Sequence, residues 1–147
     1  MLSAINKWFT QQLELNEQSN KPSIELATAV LLYEVMRADH KFEQSEVNNY
    51  QTQLNKHFSL SESDLTALCE LTKIEAEDAI DYQQFTRVLN DFYGPDEKRN
   101  VLDSLWSIAY ADHELSPDEE YTIRKIADLL YIPHREFIQS KLASKSL

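Results

Sequence analysis

Two stretches decide the fold: LYEVMRADHKFEQSE, from Leu32 to Glu46, and LWSIAYADHELSPDE, from Leu105 to Glu119. They align without a gap, Leu105 lying 73 positions after Leu32, and Ala-Asp-His is identical in both. Each copy reads as the end of one helix, a tight loop with a single apolar residue (Phe42 or Leu115), and the start of another helix. Past the loop the match continues, Leu54 and Phe58 against Ile126 and Leu130, once one residue is deleted. Such a repeat predicts two related helix-loop-helix units packed about a pseudo-two-fold axis.

Outward from these units the apolar residues keep a helical period. Leu2, Ile5, Trp8 or Phe9, and Leu13 mark one face of a short N-terminal helix, and NEQSNKPS then reads as a connector. Residues 1–22 are therefore expected to be an amphipathic helix with its connector, and residues 23–147 the helical domain, the whole forming one globular unit. Ser23 is placed to cap an amphipathic helix carrying Ile24, Ala27, Val30, Leu31 and Val35 to about Ala38. Val47, Tyr50, Leu54 and Phe58 form the next stripe. Ser61 with Asp64 opens a helix through Leu65, Leu68 and Leu71, and Asp81 with Gln84 opens one through Tyr82, Phe85, Val88, Leu89 and Phe92. Gly94-Pro95 punctuates the chain, with Gly94 suited to a left-handed helix end and Pro95 to the first turn of the next helix. Ser116-Pro117 begins another helix, and Pro133 the last, with Phe137, Ile138 and Leu142 on its apolar side. The expectation is an all-α, compact bundle of about eight helices. A single glycine in 147 residues agrees, since turns and bulges of sheets draw heavily on glycine.

Composition narrows the function classes. Fourteen Lys and Arg against 25 Asp and Glu give a net charge of −11. A chain so acidic lacks the cations whose binding to phosphates releases counterions, so nucleic acid is a poor partner. Its field favours basic proteins or divalent cations. No apolar run approaches the ~20 residues that span a bilayer, so any membrane-associated complex would form only through a partner. The opening residues do not read as a secretory leader, because no basic segment precedes an apolar one. One cysteine, Cys69, forms no internal disulfide and fits a reducing cytoplasmic setting. No nucleophile–base motif or phosphate-binding glycine loop is present in the sequence, so a non-enzymatic role is expected.

An apolar helix ending in Ala-Asp, followed seven residues later by Glu on a new helix and occurring twice, resembles the TerB-like (tellurite-resistance) family. Here the pairs are Asp39 with Glu46 and Asp112 with Glu119, and the resemblance covers roughly residues 23–141. The family pattern carries glycine after each Asp, whereas this chain has His40 and His113, and histidine tolerates left-handed backbone better than most residues. The resemblance implies an all-helical cytoplasmic interaction module tied to tellurite or general stress response, acting with a protein partner. It also makes the acidic positions candidates for binding metal. A single cysteine gives little basis for thiol reduction of tellurite.

Asp39, Glu46, Asp112 and Glu119 are thus the candidate metal ligands. Four oxygen donors meeting across the pseudo-axis would suit Ca²⁺ or Mg²⁺, and Zn²⁺ fits less well, through His40 and His113. The preferred reading explains each residue locally, and metal binding is the alternative. Ser116-Pro117-Asp118-Glu119 is a capping-box sequence, and Asp39 and Asp112 can accept hydrogen bonds from loop N–H groups. The loops are not EF-hands: counted from Asp112, the sixth position is Pro117 where glycine is required, and the twelfth is Ile123 where glutamate is required.

Overall fold

The computed structural model describes residues 23–38, 44–79, 81–111 and 115–145, and these form seven helices with no strand among them. In chain order they are α1 (Ile24–Met36), α2 (Gln44–Phe58), α3 (Glu62–Asp78), α4 (Gln83–Phe92), α5 (Pro95–Ala109), α6 (Pro117–Leu129) and α7 (His134–Lys145). The expected eighth helix, over Leu2–Leu13, lies outside the described residues.

α1 is the axis of the fold. Its sequence, IELATAVLLYEVM, was expected to be amphipathic, but every residue from Leu26 to Met36 is buried. The reason lies in the sequence itself: apart from Glu25, Thr28 and Glu34, each position is apolar or aromatic, so no wide polar face exists to meet water. Five helices surround it, α2, α3, α4, α5 and α6, while α7 packs on α5. Thr28 is wholly buried, and Glu34 is buried against Arg37. Trp106 of α5 packs on Phe137 of α7 with ring centroids 5.1 Å apart, which anchors the last helix.

Capping residues set the helix starts largely as the sequence suggests. Ser23 Oγ accepts from the Leu26 N–H at 3.1 Å, and Ser61 Oγ accepts from the Asp64 N–H at 3.2 Å. Asp81 Oδ1 accepts from the Gln83 N–H at 2.9 Å, leading into α4. Gly94 departs from expectation. Its φ of −84° and ψ of −177° are extended, and it sits at the N-cap of α5 instead of a left-handed helix end. Left-handed backbone falls instead at Ser59 (φ 50°) and Tyr131 (φ 59°), just past α2 and α6.

Three apolar residues of the expected stripes face outward: Phe92 on α4, and Ile138 and Leu142 on α7. α7 turns Phe137 and Ser140 inward, and the Ser140 hydroxyl donates to Asp103 Oδ1 on α5. The buried face of α7 thus combines an aromatic contact with a hydrogen bond to α5.

The enclosure of α1 makes a stability prediction. Leu31→Ala should cost about 2–5 kcal/mol, read from urea unfolding, whereas Leu142→Ala on the exposed face should change stability by less than ~0.5 kcal/mol.

Candidate functional site

The two corners repeat down to their hydrogen bonds. α1 ends at Met36 and α5 at Ala109, and α2 begins at Gln44 and α6 at Pro117, each pair keeping the 73-residue spacing. At the first corner the Arg37 N–H donates to Tyr33 O at 3.0 Å and the Ala38 N–H to Val35 O at 3.2 Å. At the second the Tyr110 N–H donates to Trp106 O at 2.9 Å and the Ala111 N–H to Ile108 O at 3.2 Å. The left-handed exits, Ser59 and Tyr131, lie 72 positions apart, as the one-residue deletion requires.

Of the four candidate ligands, two are described. Glu46 is the third residue of α2 and Glu119 the third of α6, and both are 0 % exposed. Each corner thus turns one carboxylate into the interior at the first turn of its second helix, where the macrodipole favours negative charge. Glu119 completes the expected capping box: its Oε1 accepts from the Ser116 N–H at 3.0 Å, and its own N–H donates to Ser116 Oγ at 3.0 Å. Asp39, His40, Asp112 and His113 lie outside the described residues. Among the described residues, no three His, Cys, Asp or Glu side chains are grouped as metal ligands.

Two depressions flank the corners, and the repeat relates their linings. One, of about 620 Å³, lies where α1 meets α6 and includes Glu34, Arg37, Ala38 and Thr122. The other, of about 840 Å³, lies between α2, α5 and α7 and includes Ser107, Tyr110, Ala111 and Asn49, the same four positions displaced by 73. The same backbone frame therefore carries two different surfaces.

In the larger depression a directed chain of hydrogen bonds joins α2 to α5. Asn49 Nδ2 donates to the Ser107 carbonyl at 2.8 Å, which orients its amide. Asn49 Oδ1 then accepts from Gln53 Nε2 at 3.3 Å, and Gln53 Oε1 accepts from Ser104 Oγ at 2.8 Å. The Ser104 hydroxyl has one proton, so at 2.8 Å its oxygen receives His57 Nε2–H. This tautomer follows from the backbone carbonyl at the far end of the chain. Burial, with the neighbouring Lys56 ammonium, holds the imidazole pKa below its usual 6.5. The sequence reading missed this stripe, because it followed the apolar face of the same helix. The available signal is the polar spacing Asn49, Gln53, His57, every fourth residue, opposite Asn100, Ser104 and Ser107.

The smaller depression is aromatic and acidic. Tyr33, Tyr82 and Tyr121 line it with Glu34, Glu77, Asp118 and Arg37. Arg37 forks onto Glu34, Nη2 to Oε1 at 2.6 Å and Nε to Oε2 at 3.1 Å, and Nη2 also donates to Ala76 O at 3.2 Å. Burial raises the Glu34 carboxyl pKa from its ordinary value, and Arg37 opposes that rise.

Residues 25–142 match the family model described as tellurite resistance protein TerB. The chain belongs to the TerB family. The match takes in both helix-loop-helix corners and all seven described helices except the ends of α1 and α7. No curated protein and no solved structure matches the chain.

Two outcomes follow from this TerB geometry. Ser116→Ala should destabilise the fold by about 1 kcal/mol, measured by chemical denaturation, because it strips one half of the capping box. The folded state also resists a proton that the unfolded His57 accepts. Its contribution is whole above about pH 6.5 and is lost as pH falls through the lower folded-state value. The difference in urea midpoint between wild type and His57→Gln should accordingly shrink from pH 7.5 to pH 5. A constant difference would contradict the half-buried, neutral imidazole.

Proposed function

We propose that this TerB domain is a non-enzymatic, cytoplasmic interaction module, linked to tellurite resistance, the term in its family's description, or to general stress response. The observation that carries the reading is the repeat of the two corners, which offers different surfaces from equivalent positions. In this reading the helix-loop-helix units are related by a pseudo-two-fold axis. The reciprocal packing of α2 on α5 and of α6 on α1 supports it. A frame that keeps its backbone while changing its surface suits recognition of partners better than one fixed chemistry. The test is affinity capture from native lysate with the purified domain as bait. Specific, saturable recovery of a defined protein supports the module, and recovery at background removes the basis for it.

A second reading has its own observation. Each corner buries a carboxylate, Glu46 or Glu119, seven residues after an Asp of the acidic loop. We propose as the alternative that Asp39, Glu46, Asp112 and Glu119 hold a hard divalent ion, Ca²⁺ or Mg²⁺, in a sensor or buffer. Calorimetric titration of metal-stripped protein distinguishes the readings. Metal sensing predicts micromolar or tighter binding, weakened by Asp39→Asn and by Asp112→Asn. Heat of dilution alone with Ca²⁺, Mg²⁺, Mn²⁺ and Zn²⁺ would leave the carboxylates as corner-forming residues.

A further inference from the structure

The depression between α1 and α6 carries chemistry that neither the capping boxes nor the acidic loops account for. Three tyrosine rings converge there, from α1 (Tyr33), the turn before α4 (Tyr82) and α6 (Tyr121). Two of the rings already attract cations of this chain: the Arg37 guanidinium lies 5.5 Å from the Tyr33 centroid, and the Lys125 ammonium 5.5 Å from that of Tyr82. The third ring, Tyr121, is 68 % exposed and has no cation over it among the described contacts.

The charges around the rings favour the same kind of visitor. Arg37 is matched by Glu34, so that pair contributes little net field. Glu77 and Asp118 remain, both exposed and in none of the described ion pairs. A volume of about 620 Å³ admits a long side chain together with part of the backbone that carries it. Lys125 does not line the depression and is exposed, so its ammonium can swing clear.

We propose that this depression receives a lysine or arginine side chain from a basic segment of a partner protein. The cationic head lies against Tyr121, between Glu77 and Asp118, while its aliphatic stem covers the tyrosine faces. The net charge of −11 draws the segment in, and the aromatic rings select where it settles. The proposal rests on the interaction-module reading and gives that module's partner a chemistry.

The experiment is fluorescence anisotropy with a labelled, unstructured Gly/Ser peptide carrying alternating lysine and arginine. Its control is the same peptide with acetyl-lysine and citrulline in their place. Wild type should bind the basic peptide and not the neutral one. Tyr121→Ala, which changes no charge, should weaken binding about fivefold. Glu77→Gln with Asp118→Asn should weaken it by at least about fivefold. Lys125→Gln should tighten it. Glu62→Gln with Asp96→Asn removes the same charge at exposed sites elsewhere and should change affinity less than about twofold. Equal loss in both double variants would reduce the effect to bulk charge and overturn the proposal, as would wild-type affinity in Tyr121→Ala. If affinity capture recovers a partner equally with wild type and Tyr121→Ala, this site fails while the module reading stands. If capture recovers none, the module reading fails whatever the peptide does.

Discussion

The structure depends on a helix that has no face to show to water. From Leu26 to Met36, α1 is buried on every side, so the rest of the domain must enclose it. Enclosing a cylinder about 10 Å across takes several neighbours, and five helices supply them. The hydrophobic effect explains why they gather but not their order, since apolar burial has no direction. Order comes from the turns: serine caps that start α1, α3 and α6, and left-handed residues that end α2 and α6.

The two corners solve one geometric problem twice. A chain leaving one helix must close it, reverse, and start another within a few residues, with its backbone groups satisfied. At both corners the last helical turn tightens through the same pair of backbone hydrogen bonds. At the second, a serine and a glutamate then exchange hydrogen bonds to open α6. A glutamate at the third helical position serves the cap and the helix dipole together, which gives a physical reason for its burial in a protein otherwise crowded with exposed acids. Because the backbone is set by these local bonds, side chains around it are free to differ. Asn49 and Ser107 on one side, Thr122 and Glu34 on the other, occupy equivalent places in a polar cleft and in a tyrosine-lined one.

The polar cleft shows how a pair of helices is matched through hydrogen bonds as well as apolar packing. The chain from the Ser107 carbonyl through Asn49, Gln53 and Ser104 to His57 has one consistent direction of donation. Such a network fixes the register of α2 on α5, because sliding either helix by one turn would break several bonds at once. It also sets which imidazole nitrogen carries the proton, a property that depends on residues several turns away.

By itself the sequence determined the helical class, most cap positions, the repeat and the capping box at Ser116 and Glu119, because these rest on interactions between residues a few positions apart. It also carried the family, whose doubled Asp and Glu spacing is a linear pattern. Tertiary structure decided what no local window contains. It chose which five helices enclose α1, since periodicity cannot name a helix's neighbours. It turned Phe92, Ile138 and Leu142 outward, and left Gly94 extended as a helix start where a helix end was expected. It also brought Tyr33, Tyr82 and Tyr121 to one depression from widely separated points in the chain. Pairings over such distances follow from how whole helices pack, and that choice is made by the enclosed volume around α1 rather than by any short stretch of residues.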